Sequence, residues 1–176
     1  MKVICLSGKA QHGKDTAASY LKQLLEIDGK RVLVTHYADL LKYICKTFFG
    51  WNGEKDEAGR SLLQRVGTDV VRAKDVDFWV DFLLSILDFF PDEWDYVIVA
   101  DCRFFNELFF FKQYGYDVTH VRVVRENHNS NLTEEQQNHE SETDLDDVIP
   151  DWIIDNSGGM PEFFDNIQIA LQEITK

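Results

Sequence analysis

Val3-Ile4-Cys5-Leu6-Ser7-Gly8-Lys9-Ala10-Gln11-His12-Gly13-Lys14-Asp15-Thr16 runs from an apolar stretch into a loop whose second glycine is followed at once by a lysine. Ala17, Ala18, Tyr20, Leu21, Leu24 and Leu25 then recur at helical spacing. The order is strand, glycine-rich loop, helix. Glycines let such a loop turn its N–H groups inward, the helix N-terminus adds positive potential, and the lysine reaches the outer phosphates of a nucleotide. A plain glycine turn is the competing reading, and the position between strand and helix weighs against it. The expected phosphate contacts are Gly8, Ala10, Gln11, His12, Gly13, Lys14, Asp15 and Thr16, with His12 acting through its backbone rather than its ring.

Asp15 stands where such loops commonly carry Ser or Thr, and Thr16 follows one place later. A carboxylate beside a triphosphate is repulsive unless a cation lies between them. Asp15 and Thr16 therefore imply Mg²⁺ or an incoming arginine, the plainer alternative being a first-turn acid that favours the helix dipole.

Composition narrows the setting. A chain of 176 residues, 44% of them hydrophobic, is expected to form one domain with a substantial core. A formal net charge of −13 argues against nucleic-acid polymers as partners, because phosphate backbones are bound by clustered Lys and Arg. Small phosphates remain accessible if positive charge is focused locally, which makes a short candidate list of Arg31, Arg60, Arg65, Arg72, Arg103, Arg122 and Arg125. The most apolar stretch, 78–90, is broken by Asp81, Ser85 and Asp88, and Met1 runs directly into a strand, so no membrane span and a cytoplasmic protein are expected. Cys5, Cys45 and Cys102 are widely spaced and odd in number, as reduced structural thiols would be.

Apolar runs at 2–7, 31–35, 96–100, 118–124 and 152–155 read as strands buried on both faces, with amphipathic helices between most of them. That alternation predicts a parallel sheet with helices on both sides and ligands at the carboxyl ends of the strands. The rule selects the 8–16 loop, then Asp39, Asp101 with Arg103, Arg125, and 156–159. Residues 38–95 are too many for one crossover, so an inserted helical substructure is implied. Within it Phe78, Phe82, Leu83, Ile86 and Phe90 recur as one apolar helix face, expected to be core. The segment 134–147 carries seven acids and no Lys or Arg, and reads as a solvated, mobile flap, His139-Glu140-Ser141-Glu142 included.

Three constellations carry chemistry. Tyr96-Val97-Ile98-Val99-Ala100-Asp101 is an apolar strand ending in an acid, the Walker B pattern that holds Mg²⁺, with helix capping as the alternative role for Asp101. Arg103 and Glu107 lie four apart on the expected next helix. They read either as a helix salt bridge or as a pair in which Arg103 neutralises a phosphoryl group while Glu107 orients it or binds an acceptor sugar. Arg60, Arg65 and Arg72 flank Gln64-Arg65-Val66-Gly67-Thr68-Asp69, a guanidinium cluster beside polar groups able to hold a monophosphate and a base.

Together these residues resemble the bacteriophage-type deoxynucleoside monophosphate kinases, within the wider P-loop nucleoside monophosphate kinase group. The likeness runs over nearly the whole length. It rests on Ser7-Gly8 through Gly13-Lys14-Asp15-Thr16, Leu63-Gln64 with Gly67-Thr68-Asp69, Asp75 with Phe78-Trp79-Val80, Asp95-Tyr96, Asp101 with Arg103 and Glu107, His120 to Arg125, and Ile153-Ile154-Asp155-Asn156 with Gly158. The resemblance implies an α/β, three-layer P-loop NTPase fold: a five-stranded parallel sheet with helices on both faces, a helical acceptor-binding insertion at 38–95 and a short lid at 126–149.

It also implies activity and roles. The loop would bind ATP or dATP as donor with Mg²⁺ at Asp15, Thr16 and Asp101, and the insertion would hold the acceptor through Asp39, Arg60, Arg65, Asp69 and Arg72. Lys14, Asp15, Arg103 and Glu107 would serve transfer, Arg125 would open a lid, and Asn156 and Gly158 would lie near the donor adenine. The expected partners are small nucleotides, with no nucleic-acid polymer and no membrane, a homodimer being compatible, in the host cytoplasm if phage-encoded. Two rivals stay open: a small-molecule kinase acting on a coenzyme precursor or a sugar, and a non-catalytic nucleotide-sensing module.

Overall fold

Alternation along the first strand sorts the molecule into layers. In the computed structural model, which describes residues 1–126, 128, 130 and 132–175, strand β1 (Lys2–Ser7) sends Ile4 and Leu6 to one face and Val3 and Cys5 to the other. The first pair packs with Ala17, Leu21 and Leu25 of α1 (Lys14–Ile27) and Phe163, Ile167 and Ala170 of α8 (Met160–Ile174). The second pair packs with Trp79, Leu83 and Leu87 of α4 (Phe78–Phe89) and Leu108 and Phe111 of α5 (Phe105–Gln113). Each buried Val, Leu, Ile or Phe among them contributes roughly 1.5–3 kcal/mol. The result is three layers, helices on both faces of one sheet.

The sheet is parallel throughout, in the order β2-β3-β1-β4-β5. Its other strands are β2 (Val32–Thr35), β3 (Tyr96–Val99), β4 (Asp117–Val124) and β5 (Trp152–Asp155). This is the fold class the sequence led us to expect. Between β2 and β3 stand α2 (Ala38–Phe49), α3 (Glu57–Gln64), a π-helical segment (Arg65–Arg72) continuous with α3, and α4. Cys5, Cys45 and Cys102 are buried free thiols. No helix among the described residues is long and apolar enough to cross a membrane.

Two expectations need correction. On α4 the buried residues are Trp79, Val80, Leu83, Leu84 and Leu87, whereas Phe78, Phe82 and Phe90 are exposed. The aromatic stripe is the neighbouring face, because the core follows the stripe that also carries Trp79 and Val80. Nor is the flap a free solvated loop. Its short helices α6 (Glu134–Gln137) and α7 (Glu140–Thr143) are docked. Buried Gln136 donates from Nε2 to the Glu57 carbonyl (3.4 Å), Asp144 accepts the Phe105 N–H (2.7 Å), and Arg122 Nη2 donates to the Val148 carbonyl (2.7 Å).

Candidate active site

Glycine geometry shapes the loop between β1 and α1. Gly8 has φ 136° and a Cβ there would lie 2.2 Å from the Val123 carbonyl oxygen; Gly13 has φ 101° and a Cβ would meet Asn156 Nδ2 at 2.6 Å. Both positions combine left-handed backbone with contact too close for any side chain. Gln11 also turns left-handed, at φ 64°. Among the described residues, the N–H groups of Gln11, Gly13, Lys14, Asp15 and Thr16 meet no protein acceptor. A bend of open amides at a helix start is an anion cradle.

Lys14 lies within it, its Nζ donating to the carbonyls of Gly8 (2.7 Å) and Lys9 (2.9 Å). Burial, reinforced by the Arg103 charge, lowers its pKa to about 8. Asn156 is buried and donates to the His12 carbonyl (2.8 Å), so it braces the loop from beneath. The His12 ring accepts the Arg125 N–H at Nδ1 (3.2 Å), while the Arg125 residue itself is exposed and, like exposed Gly158 and Thr16, does not line the cleft.

The loop forms one end of a cleft of about 440 Å³. At its wall His36, immediately after β2, bonds Asp15 Oδ1 through Nε2 (2.9 Å) and faces Asp39 Oδ2 through Nδ1 (3.2 Å). The bond to Asp15 raises the His36 pKa and lowers that of Asp15. Asp39 also takes Lys42 (2.9 Å) and stays at the rim. Asp101 caps α2, its two oxygens accepting the N–H groups of Tyr37 (2.8 Å) and Ala38 (3.0 Å). Capping is the alternative role read from the sequence, directed at a different helix. Each of these carboxylates keeps lone pairs that could face a cation. No group of three or more His, Cys, Asp or Glu suited to a metal occurs among the described residues. Asp15 and Asp101 thus fit Mg²⁺ held mainly by phosphate and water, the usual way this ion binds.

Arg103 and Glu107 do not bridge each other. Arg103 precedes α5, and its guanidinium turns to the flap, donating to the Ser141 carbonyl (3.0 Å) and to Glu142 Oε1. Glu107, in the first turn, folds back so that Oε2 accepts the N–H groups of Arg103 (2.7 Å) and Phe104 (3.1 Å). Its Oε1 takes Arg72 Nη2 at 2.6 Å, both side chains being buried. Burial pushes the Glu107 pKa up to about 7 against the opposing pull of Arg72. Arg72 spends its other terminal nitrogen on the Val76 carbonyl (3.0 Å) and Asn106 Oδ1 (2.9 Å), and lies 3.7 Å over the Phe104 ring. Only its Nε lacks a partner among the described residues, so this arginine is a strut of the cleft wall more than a free clamp.

Of the other arginines expected here, Arg60 lines the cleft with Nε on the Lys55 carbonyl (2.8 Å) and its terminal nitrogens unpartnered among the described residues. Arg65 is exposed and outside it, since the turn that brings Gln64 and Thr68 inward carries residue 65 outward. Asp69 is exposed too, at a second hollow, with His139 Nε2 3.8 Å away. A π-helical stretch often marks a functional site, and this one presents Gly67, Thr68 and Arg72 to the cleft, next to Gln64 at the end of α3.

Sequence reasoning passed over three contributors. His36 directly follows β2 and was within reach of the carboxyl-end rule, which stopped at Asp39. Trp79, whose Nε1 donates to the Gly67 carbonyl (3.1 Å), belongs to the buried α4 face. Glu142 sits in an acidic run with no periodicity to single it out.

Comparison with known proteins settles the family. A family model described as Deoxynucleotide monophosphate kinase matches residues 25–167. The chain belongs to that family. Among deoxynucleotide monophosphate kinases, it is 29% identical to that of Escherichia phage RB69 over 166 residues, 90% of this chain and 65% of the relative. It is 36% identical to that of Enterobacteria phage T4 over 123 residues, 69% of this chain and 48% of the relative. The chain thus spans about half to two thirds of the length of these two relatives. The solved shikimate kinase from Bacteroides thetaiotaomicron shares the fold, with a TM-score of 0.54, 11% identity and 99% coverage of each chain.

Proposed function

We propose that this chain transfers the γ-phosphoryl group of ATP or dATP to a deoxynucleoside 5′-monophosphate, giving the diphosphate. The observation that carries the reading is the joining, in one cleft, of an anion cradle holding Lys14 to an arm presenting Arg60, Gln64 and Thr68, with Arg103 also lining it. The names and lengths of sequence matched in the phage relatives support the same assignment. A nucleotide-sensing module would need the loop but has no use for Arg60 and Arg103 in the same cleft.

Phosphoryl transfer requires alignment and charge neutralisation rather than covalent chemistry. Loop amides and Lys14 grip the β- and γ-phosphates, and Lys14 exchanges its contacts with the Gly8 and Lys9 carbonyls for phosphate oxygens. Asp15, with Thr16 and Asp101 nearby, would hold Mg²⁺ from the protein side, and the ion would supply neutralisation of the phosphate charge. His36 orients Asp15. Arg60 takes the acceptor phosphate, whose oxygen is already anionic, so no general base is required. Arg103 receives charge on the passing group, and the Glu107–Arg72 pair fixes the backbone from which Arg103 projects. Asn156 and the loop after β5 lie on the donor side.

Acceptor screening tests this. Purified protein with Mg-ATP should release ADP only when a deoxynucleoside monophosphate is added. Equal turnover with dephospho-coenzyme A or gluconate would transfer the assignment to another small-molecule kinase class.

A further inference from the structure

Glu142 lies in the cleft although it comes from the most acidic segment of an acidic chain. Its side chain is 6% exposed. One carboxylate oxygen, Oε2, accepts the N–H of Ala10 in the glycine loop at 3.0 Å; the other, Oε1, is bonded by the Arg103 guanidinium. Arg103 is held in that pose by a second bond, to the Ser141 carbonyl. Lys9, also in the loop, reaches the flap through the Glu142 carbonyl and Asp146 Oδ2 (2.7 Å). Each donor named here is one that an oxyanion of a nucleotide would use: a loop amide, a loop ammonium and a cleft guanidinium.

We propose that Glu142 is an internal stand-in for a phosphoryl group, and that the donor's phosphate tail binds by displacing it. The inference rests on the reading of the loop as the donor site. A carboxylate offers two oxygens and negative charge to a guanidinium and an amide, as one edge of a phosphoryl group does. Both anions cannot hold the same two donors. Of the loop amides, that of Ala10 is taken by Glu142 and that of His12 by the Lys9 carbonyl (3.3 Å), while those of Gln11, Gly13, Lys14, Asp15 and Thr16 stay open among the described residues. The mimic therefore covers the outer part of the cradle and leaves the rest ready.

The flap that carries Glu142 is anchored at a distance from the loop. Gln136 holds α6 to α3, and Asp144 holds the end of α7 to the start of α5. These bonds deliver Glu142 to the cleft in the free protein and set the cost of withdrawing it. Donor affinity is reduced by the fraction of molecules in which Glu142 is seated, and Arg103 becomes available for transfer only as the flap carboxylate leaves. A protein built this way resists gripping ATP in an unready state, which limits transfer to water.

Titration calorimetry decides the matter, with Mg-ATP and inorganic pyrophosphate as separate probes. Wild type, Glu142→Ala, Glu142→Gln and the exposed flap control Glu140→Gln are compared, and thermal melts confirm that each is folded. Glu142→Ala is expected to bind both probes about tenfold tighter or more, since the competing occupant is gone. Glu142→Gln, which keeps the size and loses the charge, should move in the same direction by less. Glu140→Gln should match wild type. Unchanged or weaker binding by both Glu142 variants, with wild type binding normally, would overturn the proposal and leave the kinase reading standing. Absence of binding by every protein would overturn both.

Discussion

The two ends of the cleft are built on different principles. The end proposed for the donor is backbone: nine consecutive residues, two glycines at close approach and open amides at a helix start. The end proposed for the acceptor is side chains, drawn from α2, α3, the π-helical segment, α5 and the flap. A backbone site works with what a short motif specifies. The side-chain site depends on partners chosen by packing, and there charged groups are largely bound to one another, Arg72 to Glu107, Arg103 to Glu142 and Lys42 to Asp39, the terminal nitrogens of Arg60 being the exception among the described residues. The backbone end keeps most of its amides open and gives up few internal bonds, those of Lys14 and of the Ala10 amide, while the side-chain end must exchange ion pairs for external partners.

The sharpest way to break this contrast is Lys14→Ala. On the proposed reading the Lys14 ammonium grips the outer phosphates, so turnover should fall about 10³-fold or more in a coupled ADP assay while circular dichroism stays that of wild type. An unimpaired variant would remove the donor end from the account. At the side-chain end Arg72→Ala should act on stability first. It leaves the Glu107 carboxylate buried without its partner, a loss of roughly 3–5 kcal/mol read as a lower urea midpoint. A midpoint equal to wild type would mean that Arg72 is a free binding group after all.

Arg103→Ala separates transfer from binding. Turnover should drop about 10²-fold with little change in KM for ATP, and a defect confined to KM would reassign Arg103 to donor binding. The most gradual effect concerns the sheet beneath both ends. Buried His120 bonds Ser7 Oγ at 2.7 Å, and burial lowers its pKa to about 4. The unfolded chain takes up that proton near its ordinary value of about 6.5, so stability is full above it and falls on acidification through the interval down to about 4. The slope should be at most about 1.4 kcal/mol per pH unit, and His120→Gln should flatten it in urea titrations at stepped pH. An unaltered slope would assign the acid sensitivity elsewhere.

Legibility in the sequence followed the same division. The loop, the five strands and the parallel sheet could be read because each rests on contiguous residues and a short period: Gly8 to Lys14 in one motif, Val3 to Leu6 in one run. Sequence alone groups Arg65 with Arg72 among the acceptor contacts, because a π-helical turn changes which residues share a face, and no spacing rule for an α-helix signals it. The Phe78–Phe82 stripe misled because two apolar stripes lie side by side on α4, and only the sheet decides which is covered. Glu142 was hidden for a more general reason. An acid is drawn into a site by positive charge from elsewhere in the chain, here Arg103 and the Ala10 amide, and nothing local records that attraction.

The most direct measurement of the central claim, that one continuous cleft takes donor and acceptor together, is calorimetric titration with a bisubstrate compound, adenosine and a deoxynucleoside joined through five phosphates. The account predicts one molecule bound per chain, about 10²-fold or more tighter than ATP alone, because the second half binds at the effective concentration set by the first. Binding no tighter than that of ATP would contradict it.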